Sequence, residues 1–253
     1  MKKDLRKQLT ELLKELHLPM FREYHAEYAV KAMNEGLSYE QYLHELAQIE
    51  CDVRRANKIV RLVKASQLPM EKTLENFDLE RLPLRIRQQV KLLQEGSFVN
   101  RCENLLAFGN PGSGKTHLLC GIGHELARQG RRVYCSTCDL IVQQLLRAQR
   151  ELELDTLLKK LSRFEVLMID DFGYVKQDRD EMEVLFTLLA HRYERGSLLL
   201  TSNLPFLKWE VLFKDPMTTA AAIDRRVHHS VVLELNVPSY RAEEAKKRKN
   251  QDK

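Results

Sequence analysis

With 253 residues, 43% of them hydrophobic, the chain can bury one α/β domain of roughly 150–200 residues and a small appendage, which excludes a second large domain. Its 41 Lys and Arg against 36 Asp and Glu leave a net charge of +5, a mildly basic balance that suits an acidic partner without requiring one. The opening MKKDLRKQLTELL is broken by charges, which predicts no signal peptide. No apolar run approaches the ~20 residues needed to cross a bilayer, so the expectation is a soluble, cytoplasmic chain with no membrane partner.

Residues 1–66 read as wholly helical. Leu5, Leu9, Leu12, Leu13 and Leu16 recur at helical spacing as one apolar stripe. Pro19 opens a second helix with Phe21, Tyr24 and Tyr28 on one face, and Gly36 ends it. Ser38-Tyr-Glu-Gln41 has the form of a capping box, ahead of a longer helix reaching about Ser66. A helical bundle that contacts a partner is the natural reading of 1–66, and a purely structural cap is the other. Residues 67–83, broken by Pro69 and Pro83, form a linker or entry segment.

From 84 onward helix and strand alternate, giving a third region over 84–242 and a basic tail over 243–253. A helix with Ile86, Val90, Leu92 and Leu93 precedes the strand Asn104–Phe108. A helix runs to about Gln129, and the second strand is Arg132–Cys135, with Asp139 placed to cap the next helix. Further strands are Val166–Ile169, Ser197–Leu200 and Ser230–Leu235, with a helix near 180–195. Such alternation predicts a parallel sheet of five strands covered on both faces. Five cysteines, Cys51, Cys102, Cys120, Cys135 and Cys138, are too scattered for a disulfide framework. Cys135 and Cys138 make a lone CxxC without the two further ligands a zinc site needs; it reads as a strand end, with a redox pair as the alternative.

Gly109-Asn110-Pro111-Gly112-Ser113-Gly114-Lys115-Thr116 is a complete P-loop, GxxxxGK[ST], with an apolar strand before it and a helix after it. Glycines let backbone N–H groups wrap phosphates, the helix start adds its partial positive charge, Lys115 reaches the β- and γ-phosphates, and Thr116 coordinates magnesium. The loop and the following His117 are therefore expected to bind ATP. Val166–Asp171 is an apolar strand ending in two acids. Asp170 is expected to hold Mg2+ with Thr116. Asp171 is placed to orient the attacking water, or to serve as a turn or cap acid. Asn203, just past the next strand, can bond that water or the γ-phosphate, or close an Asx turn. A full strand separates the two motifs in sequence, which points to a strand inserted between them in space, the wiring of motor-type P-loop ATPases rather than nucleotide kinases.

The ordered set GNPGSGKTHL, VLMIDDFGY, LLLTSNLPFLKW, AAAIDRRVHH and VPSYR resembles the IstB family, AAA+ ATPases that assist insertion-sequence transposases and are similar to DnaC helicase loaders and, more distantly, DnaA initiators. The resemblance covers nearly the whole chain. It implies a P-loop NTPase of the AAA+ type behind a small all-helical N-terminal domain, Asn203 as the sensor-1 residue, Arg225 and Arg226 in the segment of the arginine finger, and Arg241 as a sensor-2 arginine. A finger reaching the neighbouring subunit implies a homo-oligomer; either arginine could instead pair with acids, and Arg241 could be a solvated tail residue. The extra helix of the relatives falls near Asp139–Ser162, where Arg147, Arg150, Lys159, Lys160 and Arg163 could grip duplex DNA through its phosphates, largely independently of sequence, or form a solvated face. The implied partners are DNA and a transposase. A DnaC-like loader is the nearest alternative; a small-molecule kinase and a non-hydrolysing ATP-gated clamp are further ones. One departure stands out: Asp171 is a methylene shorter than the Glu usual at that position.

Overall fold

The computed structural model describes residues 2–172, 179–204 and 230–240. The chain divides into two units, Met1–Arg61 and Leu62–Lys253.

The first unit is built from α1 (Lys2–Glu15), α2 (Pro19–Glu35) and most of α3 (Tyr39–Ala65). Pro19 sits at the first helical position of α2, where its missing N–H costs nothing. Gly36 ends α2 in the left-handed region, φ +68°, with its N–H returned to Ala32 O. The capping box forms as spelled: Ser38 N donates to Gln41 Oε1 at 2.8 Å and Gln41 N to Ser38 Oγ at 3.2 Å. The leucine stripe differs from expectation. Leu13 is buried, but Leu5, Leu9, Leu12 and Leu16 are exposed.

The second unit contains a five-stranded parallel sheet: β1 (Asn104–Gly109), β2 (Val133–Thr137), β3 (Val166–Asp170), β4 (Ser197–Ser202) and β5 (Ser230–Leu235). The strand order is β2-β3-β4-β1-β5. A strand does lie between the P-loop strand and the acidic strand, but it is β4; β2 stands at the edge. Helices α4 (Leu84–Gln94), α5 (Ser97–Asn100), α6 (Lys115–Arg128), α7 (Cys138–Arg150), α8 (Leu154–Leu161) and α9 (Arg179–Arg192) connect and cover the strands.

Strand periodicity divides the apolar residues between two cores. Leu105 and Ala107 join Met168, Leu199 and Leu233 against Val90, Leu118 and Ile122 of α4 and α6. Leu106 and Phe108 join Leu167, Ile169 and Leu200 against Ile141, Leu145, Val184 and Leu188 of α7 and α9. Burial on both faces of the inner strands β1, β3 and β4 is why they read as nearly continuous apolar runs rather than alternating ones. The entry segment packs too: Leu68 and Leu82 lie in the first of these cores, and His124 Nε2 lies 3.0 Å from Pro69 O.

Two local expectations are corrected. Thr137, not Asp139, caps α7, its hydroxyl accepting from Leu140 N at 3.4 Å, which leaves Asp139 in the first turn. β2 starts at Val133 and runs on to Thr137, because the polar Ser136 and Thr137 still pair with Ile169 and Asp170. Arg192 is buried at the α9–β4 connection, where its guanidinium donates to Leu161 O, Phe164 O, Glu165 O and Ser197 O. Burial pushes its pKa down to about 10, which still leaves it charged at neutral pH.

Candidate functional site

The site forms where β1, β3 and β4 end together, the usual ligand edge of an open parallel sheet. β1 delivers the chain into the loop at Gly109, and α6 begins at Lys115. Gly112 (φ +81°) and Gly114 (φ +93°) hold left-handed backbone, which glycine adopts without a Cβ penalty. A Cβ on Gly112 would stand 2.2 Å from Ser239 Oγ, and one on Gly114 would stand 2.8 Å from Phe77. The segment after β5 closes over the loop: Tyr240 N donates to Gly112 O at 3.0 Å, and the Arg81 guanidinium lies 5.0 Å from the centroid of the Tyr240 ring.

Lys115 is 5% exposed. Its ammonium donates to Gly109 O and Asn110 O, both at 2.9 Å, folding the charge back over the loop. The Ser113 hydroxyl is buried without a hydrogen-bond partner among the described residues. A buried ammonium on carbonyls and an orphaned hydroxyl beside a glycine turn fit a polyanionic phosphate chain. The Thr116 hydroxyl donates to Asp170 Oδ1 at 2.8 Å. That contact joins the loop to the end of β3 and offers two hard oxygen donors of the kind magnesium takes.

Asp171 leaves β3 with φ +57°, a conformation that short polar side chains tolerate best among residues with a Cβ. Its N–H donates to Thr201 Oγ1 at 2.9 Å. Asn203 follows β4 and is half-buried. It sits within a turn closed by Ser202, whose hydroxyl accepts from Leu204 N at 3.1 Å. His117 points elsewhere: its Nε2 lies 2.9 Å from Thr73 O and its ring packs edge-on against Phe77 at 5.2 Å. Thus Lys115, Thr116, Asp170 and Asp171 come together, while the His117 ring is engaged with the entry segment. Arg225, Arg226 and Arg241 lie outside the described residues.

Thr201 was not singled out by the sequence. It lies on β4 two residues before the more conspicuous Asn203, and only the hydrogen bonds reveal that it touches both acids. The CxxC pair separates: Cys135 lies on β2 and Cys138 opens α7. Cys135 packs instead against the core that holds Cys120, and the pair perturbs itself, the Cys120 thiol being pushed to a higher pKa and the Cys135 thiol to a lower one. No group of three or more His, Cys, Asp or Glu side chains that could hold a metal occurs among the described residues.

Arg147, Arg150, Lys159, Lys160 and Arg163 are all exposed. They lie on the last turns of α7 and α8 and just beyond, while Ile141, Leu145, Ala148, Leu158 and Leu161 face inward. Arg147 Nε pairs with Glu151 at 2.9 Å. No described helix is long and apolar enough to cross a membrane.

Comparison with known proteins agrees with this geometry. The profile of the IstB-like ATP binding protein family matches residues 11–249. An insertion sequence ATP-binding protein of Sinorhizobium fredii is 39% identical over 235 residues, 92% of this chain and 79% of the relative. The insertion sequence IS5376 ATP-binding protein of Geobacillus stearothermophilus is 35% identical, over 98% of this chain and 99% of its own. Among solved structures, AMPPCP-bound DnaA from Aquifex aeolicus superimposes with a TM-score of 0.56 at 20% identity, covering 74% of this chain and 56% of that one. The DnaC helicase loader gives 0.53 at 16%, covering 65% and 97%. At those identities the likeness is one of fold.

Proposed function

Because the chain belongs to the family of IstB-like ATP-binding proteins, we propose that it is an AAA+ regulator of DNA transposition that hydrolyses ATP, oligomerises on duplex DNA and recruits or activates a transposase. The observation that carries the reading is the Thr116–Asp170 hydrogen bond. It joins the glycine loop to the acidic end of β3 across a sheet wired with β4 between β1 and β3, which supports a shared magnesium–phosphate site. Relatives whose names tie them to insertion sequences share 35–39% identity with nearly the whole chain, against 16% for the helicase loader. That contrast favours transposition over helicase loading.

The residues divide the work. Lys115 releases its two carbonyls and meets the β- and γ-phosphate oxygens. Thr116 and Asp170 would hold magnesium, which would offset the negative charge of the phosphates. Asp171 and Asn203 orient the attacking water from the ends of neighbouring strands. Arg225 or Arg226 supplies the finger to the next subunit and Arg241 meets the nucleotide of its own, so that assembly and hydrolysis are coupled. Arg147, Arg150, Lys159, Lys160 and Arg163 contact DNA phosphates, and residues 1–66 contact the protein partner.

Phosphate release measured with and without duplex DNA tests this. The wild type is expected to be stimulated by DNA. Lys115→Ala should lose hydrolysis and nucleotide-dependent assembly, and whichever of Arg225→Ala and Arg226→Ala loses the stimulation identifies the finger. Hydrolysis indifferent to DNA, or normal assembly of Lys115→Ala with ATP, would overturn the mechanism.

A further inference from the structure

The register of β3 on β4 runs Val166↔Ser197 to Ile169↔Leu200 and stops one residue short of Asp170. Asp170 is paired with Thr137 of β2 but has no register partner on β4, and Asp171 lies beyond the end of β3. The next residue of β4 is Thr201, which is fully buried. Its Oγ1 lies 2.5 Å from Asp170 Oδ1 and 2.9 Å from Asp171 N. The direction of both bonds is fixed by chemistry. A backbone N–H can only donate, so the hydroxyl accepts from Asp171 and gives its own hydrogen to the Asp170 carboxylate.

The consequences differ for the two acids. Asp170 Oδ1 receives two hydroxyl hydrogens, one from Thr116 on the loop and one from Thr201 on the neighbouring strand. Its orientation is set from the sheet as well as from the loop. Asp171 is held at φ +57° by the bond to its N–H, and the following residue is tied to the same strand: Phe172 N donates to Thr201 O and Ser202 Oγ donates to Phe172 O, both at 2.8 Å. Backbone in a sparsely populated region persists only where its surroundings fix it.

We infer that Thr201 is a positioning residue of the nucleotide site, whose single hydroxyl orients the Asp170 carboxylate for magnesium and sets the turn that presents Asp171. The inference rests on the ATPase reading above and adds a residue to it. Valine is nearly isosteric with threonine but cannot bond, so Thr201→Val removes the hydroxyl hydrogen from Asp170 and the Thr201 acceptor from the Asp171 N–H. Serine keeps the hydroxyl. A merely structural threonine would lower thermal stability and leave the magnesium requirement unmoved.

The test uses the full chain in two measurements. The first, in nucleotide-free protein, is amide exchange at Asp171 and Phe172. Thr201→Val should exchange on the order of tenfold faster or more than wild type and Thr201→Ser, since a lost hydrogen bond of about 1.4 kcal/mol is a factor of ten. The second is binding of a fluorescent ATP analogue titrated with magnesium, together with phosphate release. Thr201→Val is expected to bind the analogue in EDTA within about twofold of wild type, yet to need about tenfold more magnesium for half-saturation and to lose on the order of 10²-fold in kcat. Thr201→Ser should restore each value to within a few-fold. If Thr201→Val does not fold, Thr201→Ala is put through the same titrations with the same expectation. Wild-type magnesium dependence in the variant, or a serine variant as impaired as valine, overturns the positioning role. A wild type that neither responds to magnesium nor hydrolyses ATP overturns the ATPase reading itself.

Discussion

Asp171 shows why a shorter acid suits this position. Residues with a Cβ pay for left-handed backbone, and Asp and Asn pay least because a short polar side chain can satisfy itself locally. With φ at +57°, Asp fits the turn, and the longer Glu that AAA+ proteins usually carry there would give up that local advantage. Asn keeps the backbone preference and removes the charge. Asp171→Asn is therefore expected to keep its fold and to bind nucleotide within about twofold of wild type. If Asp171 orients or deprotonates the attacking water, phosphate release should fall by roughly 10²–10⁴. A variant that hydrolyses at the wild-type rate would return Asp171 to the role of a turn residue.

Elements were legible in the sequence where a local rule decides them, and less so where a neighbour does. The capping box at Ser38–Gln41, the proline start of α2 and the P-loop between strand and helix all depend on residues within a few positions of one another. The leucine stripe of α1 does not. Periodicity shows that a stripe exists, but what covers it is a tertiary matter, and among the described residues of the first unit only Leu13 and Leu46 are buried apolar side chains. Thr201 was illegible for the same reason, since its two partners lie some thirty residues away in sequence. In so thin a core a buried carboxylate carries unusual weight. Glu50 is 4% exposed; its Oε2 accepts from Met20 N at 2.8 Å, tying α3 to the first turn of α2, and its Oε1 accepts from Arg54 Nε at 2.7 Å. Burial pushes its pKa up, but the Arg54 side chain and the Met20 and Phe21 amides outweigh burial and hold it below the ordinary glutamate value. A carboxylate held low in the folded state adds stability above its unfolded pKa of about 4.3, and that stability is lost as pH falls through the lower folded value. Glu50→Gln should thus cost the helical unit about 1–3 kcal/mol at neutral pH. The variant should also lack the wild type's loosening below about pH 4. Amide exchange across α2 and α3 reads both, and a variant as protected as wild type at neutral pH would leave Glu50 without a structural role.

For the whole molecule, a net charge of +5 says little, because what matters for a polyanion is where the cations stand. Over Cys138–Arg163 five cations, Arg147, Arg150, Lys159, Lys160 and Arg163, face four acids, Asp139, Glu151, Glu153 and Asp155, for a local balance of +1. The inward face of these helices is committed to the core through Ile141, Leu145, Leu158 and Leu161, so the cations present a polar outer face with no apolar requirement of its own. Arg147 is already paired with Glu151, whereas the ion pairs found among the described residues do not include Lys159 or Lys160. If this face meets duplex DNA, each lysine that neutralises a phosphate releases a counterion and adds ~0.9 to the slope of log K against log salt. Lys159→Gln with Lys160→Gln should then flatten the slope by about 1.8, by the same amount on two unrelated duplexes, while Arg147→Gln should change it by less. Fluorescence anisotropy between roughly 50 and 200 mM salt resolves such a change. An unaltered slope in the double variant would move the DNA contact off α8, and a loss confined to one duplex would mean that the face reads bases rather than phosphates.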